Sequence, residues 1–186
     1  MSIAYQGAPG AFGHEACRAF APDAPTFAVP TFAEVVAAVK QGSVEFGMLP
    51  VANSRAGEVP RVRRLVEEAA LAIEAEYRLP VRLHLLGLRG SRHEQVRTVS
   101  SHPMALKQCS QSLSRLGVDL RDAPNTAVAA RELCDPGAAA LASEAAAAIY
   151  GRDILLRDLQ DDPDNHTLFA LVRRGLIGSC KMARGM

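Results

Sequence analysis

The sequence lacks the motifs that usually mark a metal, redox or nucleotide site. Its four cysteines form no CxxC pair, and its five histidines show no HExxH spacing. No GxGxxG or Walker motif is present, so nothing in the sequence supports a bound nucleotide. We therefore expect neither a metal nor a cofactor. We interpret the isolated cysteines as small core residues or idle thiols in a reducing compartment: Cys17, Cys109, Cys134 and Cys180.

An excess of one charge and long apolar runs are also missing. The 186 residues include 21 basic and 20 acidic side chains, which gives a net charge of +1. This balance offers no electrostatic reason to expect nucleic acid or an anionic membrane as a partner. The longest apolar stretch is interrupted by Ser143 and Glu144, so no membrane span is predicted. Because residues 3–6 already resemble a strand, we expect no signal peptide and a cytoplasmic location.

The chain does contain enough apolar residues, 48%, to form a sizeable core. Short β-type runs alternate with amphipathic helical stretches along its length. Strands are predicted at 3–6, 26–29, 46–49, 71–78, 81–88, 98–100, 138–142, 154–156 and 166–172. Helices are predicted at 12–20, 31–41, 59–69, 103–116, 126–133 and 143–150. This alternation predicts an α/β fold with largely parallel sheets.

Two proline-containing extended segments divide this pattern. Residues 78–83 and 160–165 contain few helix formers, and we interpret them as crossovers between two lobes of a single domain, 1–186. The first lobe is then predicted to combine about 1–79 with 166–186, and the second to span about 80–165. A cleft between two such lobes is a usual place for a small ligand, at strand ends and helix N-termini.

Small and polar residues are concentrated in three loops that follow predicted strands. These loops are a glycine-rich turn at 7–16, the segment 50–59 and the segment 100–109. A further polar segment, 165–169, leads into the last strand. Backbone N–H groups in such loops can hold an anion, but each loop taken alone is equally explained as a tight turn or a helix cap.

The order and spacing of these segments resemble the catalytic domain of prephenate dehydratases over about residues 3–173. The glycine-rich motif of that family resembles residues 7–12, and its E-N-S-x-x-G-x-V motif resembles residues 52–59. Its S-H-P-x-x-x-x-Q-C motif resembles residues 101–109. The family's Asp followed by Asn-x-Thr-Arg-Phe resembles residues 160–162 and 165–169.

This resemblance implies a fold, a reaction and a set of site residues. The fold is a two-lobed α/β domain similar in plan to type II periplasmic binding proteins. The reaction converts prephenate to phenylpyruvate, losing carbon dioxide and water without a metal or an organic cofactor. Matched by position, Thr167 is the implied catalytic hydroxyl, and the implied substrate-binding or cleft-lining residues are Gly10, Ala11, Asn53, Ser54, Ser101, His102, Gln108 and Thr126.

The family also suggests how the protein assembles and how it is regulated. Its members form dimers or larger homo-oligomers, and many carry a C-terminal ACT domain for phenylalanine feedback. This chain stops before such a domain, so we expect that route of regulation to be absent. His102 is the only histidine among the implied cleft residues, and we interpret it as a helix-capping or positioning residue rather than a proton donor.

Two positions depart from the family motifs. Ala52 replaces the Glu of E-N-S, and Leu168 replaces the Arg of T-R-F. Because side chains alternate along a strand, we predict that Ala52 and Leu168 are neighbours behind the site, where the family residues would pair with each other. Dehydratase chemistry would then be kept. Two alternatives stay open: a repurposed homologue in secondary metabolism, such as a non-aromatising prephenate decarboxylase, and a non-catalytic module that binds a small carboxylate.

Overall fold

The computed structural model describes residues 1–175 and shows two β-sheets flanked by helices. The strands are β1 (Ile3–Gln6), β2 (Thr26–Val29), β3 (Phe46–Asn53), β4 (Gly57–Glu58), β5 (Leu71–Pro80), β6 (His84–Gly87), β7 (Thr98–Ser101), β8 (Asp119–Asp122), β9 (Ala138–Ala142), β10 (Asp153–Leu156) and β11 (His166–Arg174). The helices are α1 (Phe12–Phe20), α2 (Phe32–Gln41), α3 (Pro60–Glu68), α4 (Pro103–Gln108), α5 (Ser110–Leu116), α6 (Thr126–Glu132) and α7 (Glu144–Tyr150). This confirms the predicted two-lobed α/β fold.

Both sheets are mixed, so the prediction of largely parallel sheets was wrong. The first has the order β2-β1-β3-β11-β5, with β4 paired to the end of β3. In it β1 runs parallel to β2 and β3, whereas β11 runs antiparallel to β3 and β5. The second has the order β10-β6-β9-β7-β8, in which β6 is antiparallel to both of its neighbours. Apart from the short β3–β4 pair, each antiparallel pair involves either β6, the first strand after the chain leaves the first sheet, or β11, the strand that returns to it.

The chain passes between the sheets twice, from β5 to β6 and from β10 to β11. These two connecting segments contact each other, because the N–H of Val81 donates to the carbonyl oxygen of Asn165 at 2.8 Å. The lobe boundaries near 80 and 165 stay a prediction. Residues 176–186, which the sequence assigns to the first lobe and which include Cys180, lie outside the described residues.

Several helix ends follow local sequence signals, whereas the break between α4 and α5 does not. The Thr31 hydroxyl accepts the Glu34 N–H at 3.2 Å to open α2, and Gly42 closes that helix with φ +80°. The single helix predicted over 103–116 is instead two, α4 and α5. Asp161, far away in sequence, accepts hydrogen bonds from the N–H of Gln111 and the hydroxyl of Ser110, and so starts a new helix there.

Several strands also differ from the predictions. The strand predicted over 46–49 extends to Asn53 as β3, and the strand predicted over 81–88 is the shorter β6. The exposed edge strand β8 was not predicted, because its Asp-Leu-Arg-Asp sequence lacks β-forming residues on both faces. Within the described residues, no helix is long and apolar enough to cross a bilayer.

Candidate active site

A cavity of about 400 Å³ lies between the two sheets. Its walls come from both lobes and are mostly apolar, and the larger apolar side chains are Phe12, Phe32, Met48, Val59, Val81, Leu83, Met104 and Phe169. Its polar side chains are Gln6, Asn53, His102, Gln108, Asn125, Thr126 and Thr167. Among the described residues, no charged side chain lines this cavity. An uncharged, largely apolar cleft with a few converging polar groups is the usual form of a small-molecule site.

Asn53 and Thr167 meet because their strands are paired. They occupy directly opposite positions on β3 and β11, so the backbone ladder fixes their approach. The amide Nδ2 of Asn53 donates to the Thr167 hydroxyl oxygen at 3.0 Å. Thr167 is buried, with 9% of its surface exposed, and it lines the cavity. Since its oxygen accepts this hydrogen bond, its own proton is free to be donated to a group in the cavity.

Gln108 reaches the same place from the second lobe. It is the last residue of α4, and its Nε2 donates to the Oδ1 of Asn53 at 3.3 Å. Its Oε1 accepts from the Nδ2 of Asn165 at 3.1 Å. Asn165 in turn accepts from the Nδ2 of Asn53 at 3.1 Å. The predicted convergence of Asn53, Gln108 and Thr167 on one pocket is therefore confirmed, although they are distant in sequence.

The amide of Asn53 is fully used by protein partners. Besides Gln108, its Oδ1 accepts the backbone N–H groups of Arg55 and Ala56, at 2.9 and 3.0 Å. Its Nδ2 has only two hydrogens but lies within hydrogen-bond distance of three acceptors, those of Asn165, Thr167 and the His166 carbonyl. This arrangement favours a role for Asn53 in holding Thr167 rather than in contacting a ligand directly.

Several helices begin at the cavity wall, and three of them differ in how their first turns are capped. His102 precedes α4, and its Nδ1 accepts the Met104 N–H at 3.2 Å, which confirms the predicted capping role. Asn125 caps α6, so that Thr126 lies in the first turn of that helix. Ala11 precedes α1 and has no side-chain group that could cap the helix. The uncapped first turn of α1 adjoins the cavity and gives an anion N–H donors and the positive end of a helix dipole.

The structure places three of the predicted site residues, Gly10, Ser54 and Ser101, outside the cavity lining. The Ser101 side chain is fully buried and donates to the Leu141 carbonyl oxygen at 2.6 Å. Ser54 accepts the His166 N–H as part of the β3–β11 pairing. Gly10 packs against α7, where an added Cβ would lie 2.7 Å from the Cα of Ala146. These three residues connect structural elements here, because neighbouring backbone occupies each of them, whereas Ala11 and Thr126 do line the wall.

Ala52 and Leu168 are direct cross-strand partners on β3 and β11. Neither lines the cavity, whereas their neighbours Asn53 and Thr167 do. The predicted placement of both residues behind the site is thus confirmed. They belong to a row across four strands, in which Arg78 lies opposite Leu168 and Glu58 lies opposite Ala52. Both Ala52 and Leu168 are half-buried, so an ion pair at these positions would be partly in contact with solvent.

Two residues near the site have contacts that the sequence motifs do not indicate. Asn165 was part of the quoted motif, yet only the fold reveals that its side chain contacts both Asn53 and Gln108. His14 accepts the Gly10 N–H and packs on the Tyr5 ring, and burial lowers its pKa, so it acts as a neutral acceptor. Burial also raises the pKa of Cys109, beside Gln108, to about 12, which keeps that thiol protonated. Among the described residues, no group of three His, Cys, Asp or Glu side chains is placed to hold a metal ion.

Comparisons with known proteins agree with this geometry. The family model described as prephenate dehydratase matches residues 3–175. The chain is 38% identical over 177 residues to a protein of Arabidopsis thaliana named arogenate dehydratase/prephenate dehydratase 1, covering 94% of this chain and 45% of that protein. It is 38% identical over 175 residues to a bifunctional N-acyl-homoserine lactone acylase/prephenate dehydratase of Komagataeibacter europaeus, covering 92% and 62%.

A solved structure supports the same relationship. The prephenate dehydratase of Arthrobacter aurescens, determined in complex with L-Phe, superposes with a TM-score of 0.87 at 25% identity, and the match covers 95% of this chain and 61% of that one. The chain thus spans about half to two thirds of the length of the proteins it matches. The family model matches nearly every described residue, and Asn53, Gln108 and Thr167 line one cleft. The chain therefore belongs to the prephenate dehydratase family.

Proposed function

We propose that this chain catalyses the decarboxylating dehydration of prephenate to phenylpyruvate. The observation that carries the proposal is the hydrogen bond from Asn53 Nδ2 to the Thr167 oxygen at 3.0 Å, inside an apolar cleft. This bond orients the Thr167 hydroxyl so that its proton is available to the substrate. A hydroxyl donor in such a site can assist the departure of a poor leaving group.

Besides this hydroxyl donor, the reaction requires few catalytic groups from the protein. As the ring carboxylate leaves as carbon dioxide, its bonding electron pair moves into the cyclohexadiene ring and expels the hydroxyl on the opposite ring carbon. The departing hydroxyl takes up the proton of the Thr167 hydroxyl and leaves as water, and Thr167 regains a proton from solvent, which supplies the one proton that the reaction consumes. Because the product is aromatic, the driving force lies in the substrate. The site therefore mainly has to orient the substrate and exclude water from the ring, as its apolar walls would do.

The neutral lining also favours one substrate over a close relative. Arogenate carries an ammonium group where prephenate carries a keto group. Among the described residues, no Asp or Glu lines the cavity to pair with an ammonium group. The carboxylate of the side chain common to both substrates can instead bind at the uncapped first turn of α1 and at the free N–H of Gln108. We therefore propose prephenate as the preferred substrate.

Product identification tests this function. The purified protein is incubated with prephenate and, separately, with arogenate, and the products are identified by mass spectrometry. We expect phenylpyruvate from prephenate. A non-aromatic decarboxylated keto acid would instead support the repurposed alternative, and binding without turnover would support the non-catalytic one. Thr167→Ala should lower kcat by about 100-fold or more, and Thr167→Ser should keep part of the activity, with unchanged melting temperatures. Undiminished turnover in Thr167→Ala would overturn the role of this hydroxyl.

Acylase activity is a second candidate function. One observation in its favour is the apolar lining of the cavity, which could accept an acyl group. The other is the 38% identity to a protein whose name includes N-acyl-homoserine lactone acylase. Release of free homoserine lactone from an N-acyl-homoserine lactone tests it directly. If the same cleft performs both reactions, prephenate should inhibit that release.

We also propose, on the family resemblance alone, that the protein acts in phenylalanine biosynthesis, or in secondary metabolism if the product differs. A cytoplasmic location and a homo-oligomeric state are further proposals of the same kind. Cell fractionation tests the location, and light scattering of the full chain in solution tests the assembly.

A further inference from the structure

We propose that Asn165 is a positioning residue that fixes which end of the Gln108 amide faces the substrate. This inference rests on the proposed function. The Asn165 side chain is buried, with 2% of its surface exposed, and it lies at the end of the segment that returns the chain to the first sheet. Its own backbone is held on both sides, by Val81 and by Asp162.

Asn53, Asn165 and Gln108 form a closed ring of three amides. Asn53 donates to Asn165 at 3.1 Å, Asn165 donates to Gln108 at 3.1 Å, and Gln108 donates to Asn53 at 3.3 Å. The ring joins β3 of the first lobe, the connecting segment and α4 of the second lobe. Each member both donates and accepts, so the direction of one amide determines the direction of the next.

The direction of the whole ring is set by the backbone. The N–H groups of Arg55 and Ala56 can only donate, so the atom of Asn53 that they contact must be its oxygen. The nitrogen of Asn53 then faces Asn165, which must present its oxygen there and its nitrogen to Gln108. As a result Gln108 keeps its oxygen toward Asn165, and one of its two N–H bonds remains for the cavity.

Replacing the Asn165 amide with a carboxylate should reverse the orientation of the Gln108 amide. In Asn165→Asp the side chain can still accept from Asn53, so the contact between Asn53 and Thr167 is kept. It can no longer donate to Gln108, so the Gln108 amide is expected to turn over. The amide then loses its 3.3 Å hydrogen bond to the Asn53 oxygen, gains a stronger charge-assisted hydrogen bond to the carboxylate, and presents its oxygen toward the cavity. An oxygen there repels a substrate carboxylate, whereas the N–H attracts it.

Steady-state kinetics with prephenate test the inference. We expect Asn165→Asp to raise KM about 10- to 100-fold while kcat changes less than about threefold, the size of a lost hydrogen bond to a charged group. Lowering the pH protonates the introduced carboxyl, which can then donate to Gln108, so the KM of the variant should fall back toward that of the wild type. The spontaneous acid-catalysed conversion of prephenate is measured in parallel and subtracted.

Gln160→Glu is the matched control. Gln160 is a buried amide in the same connecting segment, and its Oε1 accepts the Leu83 N–H at 3.0 Å without contacting the ring. The Glu variant also buries a carboxylate but keeps that acceptor, so KM should stay within about threefold of the wild type at every pH. Equal KM values and equal pH profiles for Asn165→Asp and Gln160→Glu would overturn the inference while leaving the proposed function standing.

A second measurement does not depend on turnover. The side-chain amide signals of Gln108 in a nitrogen–proton correlation spectrum can be assigned by their loss in Gln108→Ala. We expect Asn165→Asp to shift these signals in a pH-dependent way, and Gln160→Glu to leave them in place. Should the wild type fail to convert prephenate, the proposed function fails, and unshifted Gln108 signals would separately refute the positioning role.

Discussion

The pairing of Ala52 with Leu168 allows the missing family charges to be restored one at a time. In a double-mutant cycle, Ala52→Glu, Leu168→Arg and the double variant are compared with the wild type. Because these two residues are direct partners on neighbouring strands and face away from the cavity, the introduced charges should interact with each other and not with the substrate.

The expected magnitudes follow from the neighbours in the row. Leu168→Arg removes a half-buried leucine, worth about 1 kcal/mol, and puts a second positive charge opposite Arg78. Ala52→Glu puts a second negative charge opposite Glu58, at about 0.5 kcal/mol. In the double variant the new Glu and Arg face each other, and their coupling should recover about 0.2–1 kcal/mol. The ~3–5 kcal/mol cost of breaking a fully buried pair does not apply, since both positions are partly exposed.

Thermal and urea unfolding measure these differences, and Leu168→Gln separates the loss of apolar burial from the added charge. A destabilisation of 1 kcal/mol corresponds to a fall in Tm of about 2–4 °C for a chain of this size. Turnover of prephenate is measured on the same samples and should change less than about threefold. If Leu168→Arg alone raises kcat/KM by about 10-fold or more, position 168 reaches the substrate and its placement behind the site is wrong.

Two further predictions concern stability away from the substrate. Ala70 follows α3 with φ +52°, a left-handed conformation that disfavours a side chain, so Ala70→Gly should raise the free energy of unfolding by about 0.5–1 kcal/mol. Ala69→Gly, one residue earlier with φ −85°, should lower it, and equal effects of the two in urea unfolding would contradict this explanation. Burial raises the pKa of Glu15, whose Oε1 has no hydrogen-bond partner among the described residues. Because the pKa of Glu15 is higher in the folded state than in the unfolded state, the protonated side chain contributes stability at low pH, and this stability is lost as the pH rises through the folded-state pKa. Glu15→Gln should therefore raise Tm at neutral pH but not below about pH 4.5. The exposed Glu144, paired with Arg157, should show no such gain when changed to Gln, and a Glu15→Gln gain that persists at acid pH would point to a cause other than the charge.

Local signals in the sequence predicted most of the fold. The cap at Thr31, the stop at Gly42 and the alternation that separates Thr167 from Leu168 all depend on residues a few positions apart. The break between α4 and α5 could not be predicted in this way, because it depends on the carboxylate of Asp161, which lies 50 residues away from Gln111 in sequence. The mixed sheets were missed for a similar reason. The direction of each strand depends on where the chain crosses between the lobes, and no short stretch of sequence indicates that.

The same distinction holds for the site. A motif match can nominate Asn53, Gln108 and Thr167 by position, and the fold brings them together. It cannot say which atoms remain free for a ligand. Only the geometry shows that Asn53 uses its whole amide within the protein, and that Asn165 links it to Gln108.

The ring of amides also bears on the proposed function, which requires an uncharged cleft to bind a dianion. A lysine or arginine in the empty cavity would be desolvated without a partner, which costs far more than burying an amide whose hydrogen bonds are satisfied. Asn53, Asn165 and Gln108 satisfy one another before any substrate arrives, so they add no such cost to the folded state. The N–H of Gln108 and the first turn of α1 then supply directed partial charges that need no reorganisation. Neutral N–H donors that are fixed in this way can bind carboxylates without a nearby cation. For that reason, leucine in place of the family arginine at position 168, on the far face of β11, is compatible with the chemistry that Thr167 would perform.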